Sequence, residues 1–228
     1  MAAVPLLWTP NVAVPAAAPR AFRAALPGVL LFVADGWMAG GLAFVWRLAL
    51  FISLGEQFQA FGGVMAIAAL VGAVGGMFLG RFIDAGHGRD AVFIVLGVVV
   101  ATTLLRAVSY GDPGFAIVAN TLGALMYCLY TPTMMTAVYN LAKRSPCVAR
   151  FHIATEGGWD MGGGVALLLC AGLLHLGAPI GAAVATALVG AFGSFTLLRR
   201  YYVGAAAPRA VVLGALAASD SRDPEPST

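Results

Sequence analysis

The groups able to do chemistry in this chain are polar side chains set into long apolar runs. Arg47 is one of them, inside Trp46-Arg47-Leu48-Ala49-Leu50-Phe51 and more than one helical turn from the polar Glu56. A guanidinium so placed must meet protein or a water-filled cavity, because a charge facing hydrocarbon is costly. It can attract an anionic solute or pair with a proton-carrying carboxylate; as a structural group it can pair with Asp35 or with backbone carbonyls. Glu156 and Asp160 form a second constellation, spaced i, i+4 so that both carboxylates fall on one helix face. Two like charges this close in a low dielectric raise the pKa of at least one, which suits a group that carries protons. Glycines surround them (Gly157, Gly158, Gly162, Gly163, Gly164), so the stretch is either unwound, as helices at transport sites are, or tightly packed. The plainer reading of Glu156 is a bond to basic loop residues such as Arg150. A third set, Asn120, Tyr127, Tyr130, Thr131, Thr133 and Tyr139, surrounds Pro132, which can kink a helix and free a carbonyl. These residues can hydrogen-bond a small molecule or serve in ordinary packing between helices.

The elements that position these groups follow from composition. Of 228 residues, 61% are hydrophobic and 10% charged, and the mean hydropathy is +0.90. Soluble domains carry roughly 25% charged residues, so this chain cannot clothe a water-facing surface and belongs in a lipid bilayer. At about 20 apolar residues per crossing, the expected architecture is an all-α membrane protein with six transmembrane helices: Gly28–Ser53, Phe61–Ile83, Ala91–Val108, Phe115–Leu141, Phe151–Leu174 and Ile180–Leu198. Ala34-Asp35-Gly36 is a point where the first of these could split. The six-helix domain spans residues 25–202. A Pro/Ala-rich tail or linker precedes it over 1–24, and a cytoplasmic tail over 203–228 is expected to be disordered, since its end is polar and helix-breaking.

Charge sets the orientation. Eleven of the 13 basic residues, from Arg20 and Arg23 to Arg209 and Arg222, fall on the side shared by both termini. Arg106 is on the other side, where it is expected to snorkel, and Arg47 lies within the first span. Basic residues concentrate in cytoplasmic loops, so both termini are expected to be cytoplasmic in an inner (plasma) membrane of bacterial type. Ala68, Gly72, Gly76 and Gly80 recur every four residues on the second helix, a small-residue stripe that lets another backbone approach.

Between the second and third helices the chain reads Gly80-Arg81-Phe82-Ile83-Asp84-Ala85-Gly86-His87-Gly88-Arg89-Asp90. With Trp46 to Phe51 in the first helix and Glu156 before Gly-rich sequence in the fifth, this resembles the C-terminal six-helix half of a major facilitator superfamily transporter, over about Ala25 to Tyr202. In the loop motif, Gly80 permits close helix approach and Asp84 can accept hydrogen bonds from a helix N-terminus, forming a breakable latch with Gly88 and Arg89. The loop departs from the family pattern at Ala85, where a basic residue is usual, at Gly88-Arg89, which arrives one residue late, and at Asp90.

The resemblance implies secondary active transport of a small solute, possible coupling to protons, and a substrate or proton pathway through Arg47, Asn120, Tyr127, Tyr130, Glu156 and Asp160. One half cannot complete such a cycle, so the implied partners, besides bilayer and solute, are a second six-helix half from a like chain or a separate one. The chain could equally be one piece of a longer transporter. The alternative is an accessory or scaffold membrane protein that transports nothing, in which Arg47, Asp84 and Glu156 could each be neutralised without loss of function. An enzyme is not expected, because His87, His152 and His175 have no paired ligand spacing and no nucleophile–base constellation recurs. Cys128, Cys147 and Cys170 are scattered and read as apolar fillers. No metal, cofactor or nucleic-acid partner is implied by a net charge of +3.

Overall fold

The computed structural model describes the backbone of residues 14, 15, 17–84 and 88–220, and the side chains of these except 79–91 and 205–220. Within the described residues the chain is helical, with no strand. Its elements are α1 (Ala21–Ala39), a π-helical segment (Gly40–Val45), α2 (Trp46–Ser53), α3 (Phe58–Asp84), α4 (Gly88–Val108), α5 (Pro113–Arg144), α6 (Val148–His175), α7 (Ile180–Ala185) and α8 (Ala187–Asp220). Five stretches are long and apolar enough to cross a membrane: Ala21–Ser53, Phe58–Phe78, Pro113–Arg144, Val148–His175 and Ile180–Gly204. The described apolar part of α4, Val92–Val108, is shorter.

Several features differ from those expected of the sequence. The first helix begins at Ala21, and it does not split at Asp35 but runs on to Ala39. Its irregularity comes later, at the Gly40-Gly41 pair that opens the π segment. The glycine-rich stretch of α6 is unbroken helix. At the other end α7 stops at a turn on Thr186 and α8 then continues to Asp220, past the expected domain end at 202. At the break the Thr186 carbonyl accepts from Val189 N–H at 3.1 Å and from Trp37 Nε1 at 3.0 Å, so the interruption leaves that carbonyl satisfied where no water can reach it.

Glycine decides how the helices meet. α1 and α6 are in backbone contact: a Cβ at Gly36 would collide with the Trp159 carbonyl, and one at Gly162 with the Val33 carbonyl. Gly28 packs on Phe151, and Gly158 on Val29. The stripe on α3 does lie on a helix, α5, where Gly72 and Gly76 rest against Ala124 and Cys128, but the approach is looser, with nearest atoms 3.5–3.6 Å from the built Cβ positions. Where helices bury little, side chains face outward. Only 11% of the apolar window of α3 is buried against 61% of that of α1–α2, which leaves Ile67, Leu70, Val74, Met77 and Phe78 exposed.

The α2–α3 and α4–α5 connections are tied together at one end of the bundle. Ser53 Oγ donates to the Ala49 carbonyl at 2.8 Å and accepts from Gly111 N–H at 3.1 Å. Gly111 turns the chain at φ 90°, a region open to glycine, and Asp112 Oδ1 caps α5 by accepting from Phe115 N–H at 2.9 Å.

Candidate functional site

Two cavities within the helices hold most of the polar residues singled out by sequence, and Tyr127 lines both. The first lies among α2, α3, α4 and α5 and has a volume of about 270 Å³. Arg47 and Arg106 line it together with Asn120, while Leu42, Met65 and Ala124 make much of its wall apolar. Trp46 begins α2, just past the π segment, and its buried indole Nε1 donates to Asn120 Oδ1 at 3.0 Å. Asn120 Nδ2 in turn points to Met65 Sδ at 3.9 Å. Asn120 is therefore committed to holding the cavity wall, with its oxygen already occupied. Arg47 is exposed, at the rim.

Arg106 was expected to snorkel from the outer end of its helix; instead it is only 3% exposed. The reason is steric. Gly123 on α5 leaves a slot whose floor the guanidinium touches, so that a Cβ there would overlap it. Trp46 covers the opposite side, its ring centroid 5.5 Å from Cζ. A cation on an indole face is favourable, and Tyr127 lines the same cavity. Nε and Nη1 nevertheless have no hydrogen-bond partner.

The second cavity, about 390 Å³, lies between α1, α5 and α6 and is lined by Asp35, Glu156, Tyr130, Thr131 and Trp159 among others. Asp35 shares this cavity with Tyr130 and Trp159 and lies within electrostatic reach of Glu156. Tyr130 is buried, its hydroxyl 3.2 Å from both Ser194 Oγ and Met134 Sδ. So the carboxylate that shares a cavity with Glu156 is Asp35, from another helix, while Asp160 stands exposed one turn further along and does not line that cavity. Thr133 turns its hydroxyl to the Leu129 carbonyl at 2.8 Å, and its own carbonyl accepts from Tyr202 Oη at 2.9 Å. Tyr139 is exposed beside His152.

Of the loop motif, Gly80 and Asp84 fall in the last turn of α3, and Gly88 and Arg89 in the first of α4. Residues 85–87 and the side chains of all four lie outside the described residues. Sequence reasoning passed over Asp35 and Arg106 as site residues. Each had a signal: Asp35 is a carboxylate inside an apolar run, and Arg106 is the lone base on the side of the chain otherwise free of them. No family model, curated protein or solved structure matches this chain.

Proposed function

We propose that this protein is a secondary transporter unit of six transmembrane helices, built as half of a major facilitator superfamily fold, which moves a small solute through the adjoining cavities and uses Asp35 and Glu156 to carry protons. The observation that supports this most is the placing of opposite charges in two adjoining cavities inside apolar helices, with the Tyr127 ring common to both walls. Intramembrane ionisable groups are expensive, and those that line cavities mark ion and substrate pathways. A carboxylate pair drawn from two helices holds a shared proton when charge repulsion disfavours double ionisation. The outward faces of α3 give room for a second six-helix half, from a like chain or a separate one, around a shared pathway.

Reconstitution of the full chain into proteoliposomes tests this reading. Uptake of a labelled panel of cationic, neutral and anionic organic solutes is compared with and without an imposed pH gradient. At least one solute is expected to accumulate only with the gradient, and Asp35→Asn should remove that dependence. No gradient-dependent flux of any solute would overturn the proposal.

A further inference from the structure

We infer that the cavity between α2 and α5 binds the carboxylate of a small organic acid with a largely apolar body, held by Arg106 with Arg47 at the rim. This rests on the transport reading above and names the class of solute.

Arg106 is a cation taken out of water and left short of partners. Its Nε and Nη1 are buried without a hydrogen bond, and the nearby charge acting on it is that of Arg47, of the same sign. No carboxylate is among the described residues lining the cavity. Burying a cation without a counter-charge is strongly unfavourable, so the wall as built calls for an anion from outside. The planar guanidinium fork matches two oxygens held in one plane, which favours a carboxylate over a halide. The side chain is also located by its surroundings, with Gly123 on one side and Trp46 on the other. A ligand that pairs with it therefore meets a group whose orientation is largely set in advance.

The rest of the wall selects the body of the ligand. Leu42, Met65, Ala68 and Ala124 offer no hydrogen bond, and Asn120 is already bonded to Trp46. A doubly charged, strongly hydrated ion such as phosphate could also pair with the arginines, but it would lose the rest of its water against these apolar side chains with no hydrogen bond to replace it. An aromatic or short aliphatic acid keeps its apolar part on them and its charge on the arginines. The volume, about 270 Å³, suits a molecule of that size.

The full chain in nanodiscs is titrated with benzoate, with its uncharged counterpart benzamide and with inorganic phosphate. Binding is read from the thermal unfolding midpoint and from tryptophan fluorescence, with Trp46→Phe assigning the optical signal. Benzoate is expected to raise the midpoint and change the fluorescence saturably, while benzamide and phosphate do neither at tenfold higher concentration. Arg106→Lys keeps a charge but loses the fork and should weaken benzoate roughly tenfold or more. Arg47→Gln alters an exposed side chain, so it should fold normally and still weaken benzoate roughly tenfold; it keeps the test open should Arg106 variants fail to fold.

The inference falls if benzoate does not bind, if benzamide binds as well as benzoate, if phosphate binds more tightly, or if Arg47→Gln leaves benzoate affinity unchanged. The flux panel separates this from the broader reading. Gradient-driven movement of neutral or cationic solutes alone would overturn the anion site and leave transport standing, whereas arginine-dependent benzoate binding with no flux of any solute would do the reverse.

Discussion

Asp35 and Glu156 come from helices far apart in sequence, yet they share one cavity with Tyr130 and Trp159. The two carboxylates differ in setting, since Asp35 is half-buried and Glu156 is exposed at the cavity surface. Removing the ionisable group from either should uncouple flux from the gradient, and Asp35→Asn should lower gradient-driven uptake roughly tenfold or more while downhill exchange persists, as judged by counterflow. Glu156→Gln should do the same, but Asp160→Asn, outside the cavity, should leave the coupling intact. Asn120 has a different task. Truncating it to Ala leaves the buried Trp46 Nε1 without its acceptor at 3.0 Å, and should cost about 1 kcal/mol, measurable by unfolding in mixed micelles.

At the scale of elements, close approach of backbones governs which helices are held firmly and which can slide. α1 and α6 interlock through Gly28, Gly36, Gly158 and Gly162, where a methyl group would meet a neighbouring backbone or ring. Gly36→Ala and Gly162→Ala should each destabilise the protein by about 1–3 kcal/mol through overpacking. Gly164→Ala and Gly172→Ala, positions with open space around the built Cβ, should be neutral or slightly stabilising, because alanine favours helix. Thermal unfolding of the four variants side by side checks this, and equal effects at all four positions would mean that the α1–α6 seam is not a tight one. At the α3–α5 seam, Gly72 and Gly76 have nothing closer than 3.5 Å and should tolerate alanine, whereas a Cβ at Gly75 would meet the Leu125 side chain.

For the whole molecule, the placing of Arg106 alters the charge count. With Arg47 within the first span and Arg106 buried, the connections expected to face away from the cytoplasm hold no Lys or Arg, the distribution that cytoplasmic termini require. Cysteines introduced at Gln57 and at Ser145, in a background lacking Cys128, Cys147 and Cys170, should label from opposite faces of the cell membrane with an impermeant maleimide. Labelling of both from the same face would defeat an even number of spans between the termini. The outward apolar surface of α3 and the exposed Met161, Val165 and Leu168 on α6 are faces for lipid or for a second half. If that half is a like chain, cysteines at Asp84 and at Ile153 should give a crosslinked dimer at low protein-to-lipid ratio. Monomer alone at every ratio would point instead to a separate chain.

Composition and periodicity by themselves determined the membrane setting, the helical class and the approximate bounds of the helices, since each follows from the local requirement that apolar side chains and backbone groups be satisfied in lipid. That is why Phe61–Ile83 and Phe151–Leu174 fall inside α3 and α6. The polar residues of interest were legible one at a time for the same reason: Arg47, Asn120, Tyr127, Tyr130 and Glu156 all stand out against apolar neighbours and all line the two cavities. Their pairing was not legible. Spacing along one helix joined Glu156 to Asp160, but tertiary packing joined it to Asp35, because glycines bring α1 against α6. Likewise only the fold could turn Arg106 inward, since the slot that receives it is the absent side chain of Gly123, on a different helix. Sequence order carries local free energies, whereas the partner of a buried charge is chosen by which backbones can come close.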